Sequence, residues 1–83
     1  MKKYEIQVTG RTLTLTINKW QKYGKNRLYL NLVGSYGNYG DIAFIENGVV
    51  TPVNKEWERI ERKAPEVMAQ IKAAIAAYEE GLK

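Results

Sequence analysis

From Tyr4 onward, apolar and polar residues alternate with a period of two. Tyr4, Ile6 and Val8 are interleaved with Glu5, Gln7 and Thr9, and beyond Gly10-Arg11 the residues Leu13, Leu15 and Ile17 are interleaved with Thr12, Thr14 and Thr16. Successive side chains of a strand point to opposite faces, so the pattern predicts strands over about 3–9 and 12–18, joined by a tight turn and sharing one oily face. Leu28, Leu30 and Leu32, set between Arg27, Tyr29 and Asn31, predict a third strand over about 27–33 whose leucines lie on that same face. The run Gly34-Ser35-Tyr36-Gly37-Asn38-Tyr39-Gly40 is rich in glycine and is expected to be a flexible connection. A strand resumes at 41–46. Asn47-Gly48 then signals a two-residue hairpin turn, because both residue types tolerate positive φ, and Val49 to Pro52 supply the returning strand.

Beyond Pro52 the period changes from two to between three and four. Trp57, Ile60, Ala64, Val67, Met68, Ile71, Ile75, Tyr78 and Leu82 draw one apolar stripe, which predicts a helix over about 55–80 with Asn54 as its N-cap and Gly81 suited to its C-terminal cap. Pro65 cannot donate to the carbonyl of Glu61 and disfavours helical geometry at Ala64, yet the stripe keeps phase across it. One kinked or closely broken helix is therefore expected. Glu58 and Arg62, four apart, form a favourable helix-surface pair. The fold class that follows is α+β: an antiparallel meander of about five short strands, then one long C-terminal helix packed on one sheet face. All of this fits a single domain over residues 1–83.

Charge modifies this picture by marking one end. Before Asp41, seven basic residues stand against Glu5 alone; from Asp41 onward six stand against eight acids. The basic residues concentrate in a stretch that joins the second and third strands, where Lys19, Lys22, Lys25 and Arg27 surround Trp20 and Tyr23 with no acid among them. A basic, aromatic loop is expected here. Lysine and arginine attract phosphates, and exposed rings offer faces on which bases stack. The sheet face opposite the leucines would carry Gln7, Thr12, Thr14, Thr16, Asn18, Arg27, Tyr29 and Asn31, a polar surface that an ordinary solvated sheet also displays. Tyr36 and Tyr39 are further stacking or contact positions. In a meander their connection and the basic loop lie at opposite ends of the third strand, about 20 Å apart, so a ligand touching both must be extended.

Composition narrows the chemistry. The chain has no cysteine and no histidine, which removes disulfides, thiolate nucleophiles, histidine bases and the usual zinc sites. Asp41 and Glu46, five apart on one strand, are expected on opposite faces and so do not converge as an acid pair. Glu61-Arg62-Lys63 matches a nuclease fragment only superficially, and the glycines of 34–40 are not followed by a lysine and a helix as a phosphate cradle requires. No enzyme activity, cofactor or metal is expected. No apolar run approaches the ~20 residues that cross a bilayer, and no charged-then-apolar leader precedes the first strand, so the expected location is the cytoplasm with no membrane partner.

Two binding readings remain. In one the protein grips single-stranded or distorted nucleic acid through Lys19, Trp20, Lys22, Tyr23, Lys25 and Arg27, with Tyr29, Tyr36 and Tyr39 as stacking platforms. In the other it is a small inhibitor or adaptor, of the size phages and mobile elements often encode, whose tyrosines dock on an acidic surface of a host protein. Open sheet edges also make a homodimer an expectation.

Overall fold

The computed structural model describes residues 2–22, 25–34 and 37–81, without the side chains of 20–22 and 25. Five strands run β1 (Lys2–Val8), β2 (Arg11–Lys22), β3 (Lys25–Gly34), β4 (Gly37–Glu46) and β5 (Val49–Pro52), followed by α1 (Lys55–Lys63) and α2 (Pro65–Gly81). All neighbours pair antiparallel in the order β1-β2-β3-β4-β5, the meander the alternation predicts. Two turns follow directly from residue chemistry. Gly10 holds φ +80° between Val8 and Arg11, and Asn47 and Gly48 both hold positive φ, 54° and 77°, between Glu46 and Val49.

The core lies between the sheet and the helices. Ile6, Leu13, Leu15, Ile17, Leu30 and Leu32 are buried from the sheet side; Trp57, Val67, Met68, Ile71, Ala74 and Ile75 are buried from the helix side. The helical stripe thus covers the leucine face, and Ile60, Ala64 and Tyr78 pack at its margins. The helix is broken rather than bent: Ala64 sits at φ −137°, ψ 64°, outside helical geometry, as the residue before a proline prefers. Its N–H still reaches the Ile60 carbonyl at 2.8 Å, and its carbonyl accepts from Val67 and Met68, so the break leaves these groups paired.

Several expectations require correction. The basic stretch is not a loop. Strand β2 continues to Lys22 and β3 begins at Lys25, with Trp20 opposite Arg27, Gln21 opposite Asn26 and Lys22 opposite Lys25. Nor is 34–40 one long connection, because β3 runs through Gly34 and β4 starts at Gly37. Its glycines serve strand irregularities instead. A Cβ on Gly34 would stand 2.6 Å from Leu13 Cδ2, and Gly40 adopts φ +74° beside an extra residue, Tyr39, in β4. The Asn38 side-chain Oδ1 accepts from the Gly40 N–H at 2.8 Å and holds that irregularity. Lastly, the expected Glu58–Arg62 pair does not form; the helix-surface pairs are Glu56–Arg59 at 3.1 Å and Glu61–Lys72 at 3.7 Å.

A second irregularity in β4 falls between the pairs Leu30–Ala43 and Asn31–Asp41, which leaves Ile42 as an extra residue. One extra residue reverses strand parity beyond it. Consecutive Ile42 and Ala43 are consequently both buried, and Asp41 and Glu46 fall on the same face rather than opposite ones. Asn54 secures this region. Its side-chain oxygen accepts from the Glu56 N–H at 2.9 Å as the N-cap of α1, while its Nδ2 donates to the carbonyls of Tyr39 and Asp41 at 3.2 and 3.1 Å.

Candidate functional site

The helices cover one face of the sheet; the other is bare and carries the candidate site. Strand β1 pairs with β2 only as far as Lys2–Ile17, and β4 pairs with β3 only from Leu28–Ile45 onward. Beyond those pairs β2 and β3 continue together as a two-stranded ribbon, Asn18–Lys22 against Lys25–Tyr29, which extends about 17 Å past the end of β1 and about 10 Å past the pairing with β4. The molecule is correspondingly elongated, 40 × 25 × 21 Å. The register puts positions 20, 22, 25 and 27 on the bare face, continuous with Asn18 and Tyr29. Lys19 is opposite Leu28 on the other side, where it lines a cleft with Ile45, Asn47 and Glu79.

Where the ribbon joins the sheet, four side chains form a connected cluster. Arg27 Nε donates to Glu46 Oε2 at 3.0 Å, and Nη1 donates to the Tyr29 hydroxyl at 3.5 Å. The guanidinium carbon lies 4.2 Å from the centroid of the Phe44 ring, and Tyr29 and Phe44 meet with centroids 5.8 Å apart at 43°. Tyr29 and Phe44 are directly opposed on β3 and β4, and Arg27 and Glu46 lie at the adjoining position, so the pairing register itself assembles the group. The hydrogen bond to the Tyr29 hydroxyl foremost pushes the already high pKa of Arg27 further up; desolvation opposes it, and the Glu46 carboxylate adds to the rise. Arg27 thus stays charged throughout any ordinary pH range. With Nε and Nη1 engaged, Nη2 has no hydrogen-bond partner among the described residues. One strand position further from the ribbon, Asn31 Nδ2 donates to Asp41 Oδ1 at 3.2 Å.

Apart from Lys19, which lies on the other side beside Glu79, the sequence-predicted positions divide into three groups. Arg27 and Tyr29 are brought together on the bare face, joined through the backbone register by Trp20, Lys22 and Lys25. Tyr39 is elsewhere. It packs against the core on the helix-covered side, and its hydroxyl accepts from Arg11 Nη2 at 3.3 Å. Tyr23 and Tyr36 lie outside the described residues. No family model, curated protein or solved structure matches the chain.

Phe44 and Glu46 were missed by sequence reading. The signal was present in the Asn47-Gly48 turn, which fixes β5 against β4, but pairing β4 to β3 required locating the extra residue at Ile42. A continuous alternation through 41–46 puts Asp41 and Glu46 on opposite faces, and only the irregularity reunites them. Among the described residues no group of three His, Cys, Asp or Glu is placed to hold a metal ion, and no helix is long and apolar enough to cross a membrane.

Proposed function

We propose that this protein is a non-catalytic nucleic-acid-binding protein that holds single-stranded or distorted nucleic acid along the β2–β3 ribbon and the bare sheet face beside it. The observation that carries this reading is the ribbon: an extension free of acidic residues, bearing Lys19, Lys22, Lys25 and Arg27 with Trp20 among them, and passing into an uncovered face. Phosphates are attracted by the lysines, whereas Arg27 is oriented by Glu46 and Phe44 with Nη2 free to donate. Trp20 and Tyr29 are the ring positions along this path.

One specific feature favours a second reading, a small adaptor or inhibitor that docks on an acidic protein surface. Arg27 is already ion-paired, and a pre-ordered arginine, tyrosine and phenylalanine is the kind of cluster on which protein interfaces concentrate their energy. Salt separates the two. If Lys22 and Lys25 each neutralise one phosphate of a single strand, log K falls against log salt with a slope of about −1.4, whereas a contact centred on rings changes little.

The test is a titration of tryptophan emission with single-stranded and duplex oligonucleotides at two salt concentrations, for the native chain and for Lys22→Glu with Lys25→Glu. Saturable, salt-sensitive binding that weakens at least about tenfold in the doubly reversed variant is the expected result. Affinity unchanged by the reversal would remove the ribbon from the site. No binding at low salt would overturn the reading in favour of the protein partner.

A further inference from the structure

The outer edge of β1 is closed at one residue and open at two. The Gln7 N–H donates to Gln70 Oε1 at 2.7 Å, and the Gln7 carbonyl accepts from Gln70 Nε2 at 2.8 Å. A single side-chain amide from α2 thus takes both backbone groups of Gln7, as an opposing residue of a further strand would. Backbone groups of an antiparallel edge strand alternate between facing the partner and facing away. Gln7 therefore faces away from β2, and so do Glu5 and Lys3, two and four residues earlier. Lys3 and Glu5 are exposed, and neither they nor their outward backbone groups have a partner among the described residues, so this short stretch is an unpaired edge. The opposite edge is protected differently: β5 has four residues, ends in a proline, and leads straight into α1.

We infer that the Lys3–Glu5 edge of β1 is a self-association site, at which a second copy of this chain adds its own β1 antiparallel across a twofold axis at Tyr4. The register follows from what Gln70 leaves open. Only outward-facing residues can exchange backbone hydrogen bonds, so the choices are limited to pairings among Lys3, Glu5 and Gln7. Pairing Glu5 with the second copy's Glu5 sets like charges in direct opposition and requires Gln7 opposite Lys3; pairing Glu5 with Gln7 likewise requires Gln70 to be displaced. Pairing Lys3 with Glu5 of the second copy avoids both. It leaves Gln7 with Gln70, ends with Lys2 opposite Ile6, and sets opposite charges in contact twice, once on each side of the axis. Tyr4 then meets its own copy on the core side. Gln70 acts as a stop that selects this register.

In antiparallel pairing, opposed residues share a face, so the bare surfaces of the two copies become one continuous surface. The two ribbons project from it in opposite directions, since the paired β1 strands run oppositely. This inference does not depend on what the ribbon binds. It stands or fails on association alone.

The experiment is sedimentation equilibrium of the full chain over micromolar to millimolar concentration. A reversible monomer–dimer equilibrium is expected. Lys3→Glu alone and Glu5→Lys alone should each raise the dissociation constant at least about tenfold, because each brings like charges into opposition twice, and the two substitutions together should restore association by exchanging the partners. Both positions are exposed, so folding is unaffected, which a circular dichroism melt checks. Gln70→Ala should broaden the species to include larger or mixed assemblies, as the register stop is removed. A monomer throughout the concentration range would overturn the proposal. So would a dimer indifferent to Lys3→Glu, or one that the double exchange fails to rescue.

Discussion

The two faces of this sheet are built from the same strands yet are held by different physics. On the covered face Leu15, Ile17, Leu30, Leu32, Ile42 and Ala43 are fully buried against the helices, and among the described residues no polar side chain is buried with them. On the bare face the contacts are pairwise: Arg27 with Glu46, Tyr29 and Phe44, Asn31 with Asp41, Thr12 with Gln7. Burial is nondirectional and grows with area, whereas the bare-face contacts depend on register and each contributes little. The difference teaches that stability is carried by the covered side, opposite the face on which we propose recognition. The bare face can be altered for binding while the fold is carried elsewhere.

The most severe way to break this division is a matched pair of truncations across one strand pair. Leu30→Ala should destabilise the domain by about 2–5 kcal/mol, because the site is enclosed by sheet and helix and cannot collapse fully. Thr16→Ala, on β2 opposite Asn31, should stay within about 0.5 kcal/mol. Urea denaturation followed by circular dichroism measures both. A large loss at Thr16 would mean that the bare face is not bare in solution, with a partner or second copy resting on it.

A smaller effect is expected at Asn54, which joins the two sides. Its oxygen caps α1 and its Nδ2 serves the carbonyls of Tyr39 and Asp41 in irregular β4. Asn54→Ala removes both functions and should cost about 1–2 kcal/mol; Asn54→Asp keeps the cap and loses only the donors, so it should recover part of that loss. On a domain of this size each kcal/mol moves the melting temperature by about 4–8 °C, which makes the difference resolvable by thermal melts. Equal melting temperatures for the two variants would assign the whole effect to the Nδ2 donors and none to the cap.

The same contrast explains what could be read from the sequence. Ile6, Leu13, Leu15 and Leu30 alternate cleanly, and Trp57, Val67 and Ile71 keep helical phase, because burial forces periodicity on the positions it selects. Strand order, both tight turns and the Asn54 cap were legible for that reason. What was not legible lies where a local rule is broken for a tertiary reason. Glycines at 34, 37 and 40 argue against a strand unless the close approach of Leu13 and the positive φ of Gly40 are already known. Lysines at 19, 22 and 25 favour a loop unless the pairing of Trp20 with Arg27 is known. The Arg27 cluster depended on both, since its acid and one of its rings come from the far side of a strand irregularity.

The smallest expected effect tests whether that cluster acts as a unit. The side chains of Arg27 and Glu46 retain 28% and 27% of their exposure, so their ion pair is partly screened and is worth less than about 1 kcal/mol. The guanidinium over the Phe44 ring adds about 0.5–1 kcal/mol. A double-mutant cycle of Arg27→Ala and Phe44→Ala should therefore give a coupling energy of about 0.5–1 kcal/mol by urea denaturation, with each single variant still folded. The coupling should be flat from pH 6 to pH 8. Arg27 has its pKa raised, so its contribution is fully present below its unfolded value and is lost only as pH climbs through the folded one, well above that window. Raising salt to 1 M separates the two contacts by shrinking the Debye length to about 3 Å: the ion pair with Glu46 weakens while the ring contact persists. Zero coupling, together with no effect of Glu46→Ala on stability, would mean that the cluster does not hold Arg27 on this face. Released from the cluster, it would join Lys22 and Lys25 as a third cation available to phosphate, and the salt slope of nucleic-acid binding should steepen toward about −2.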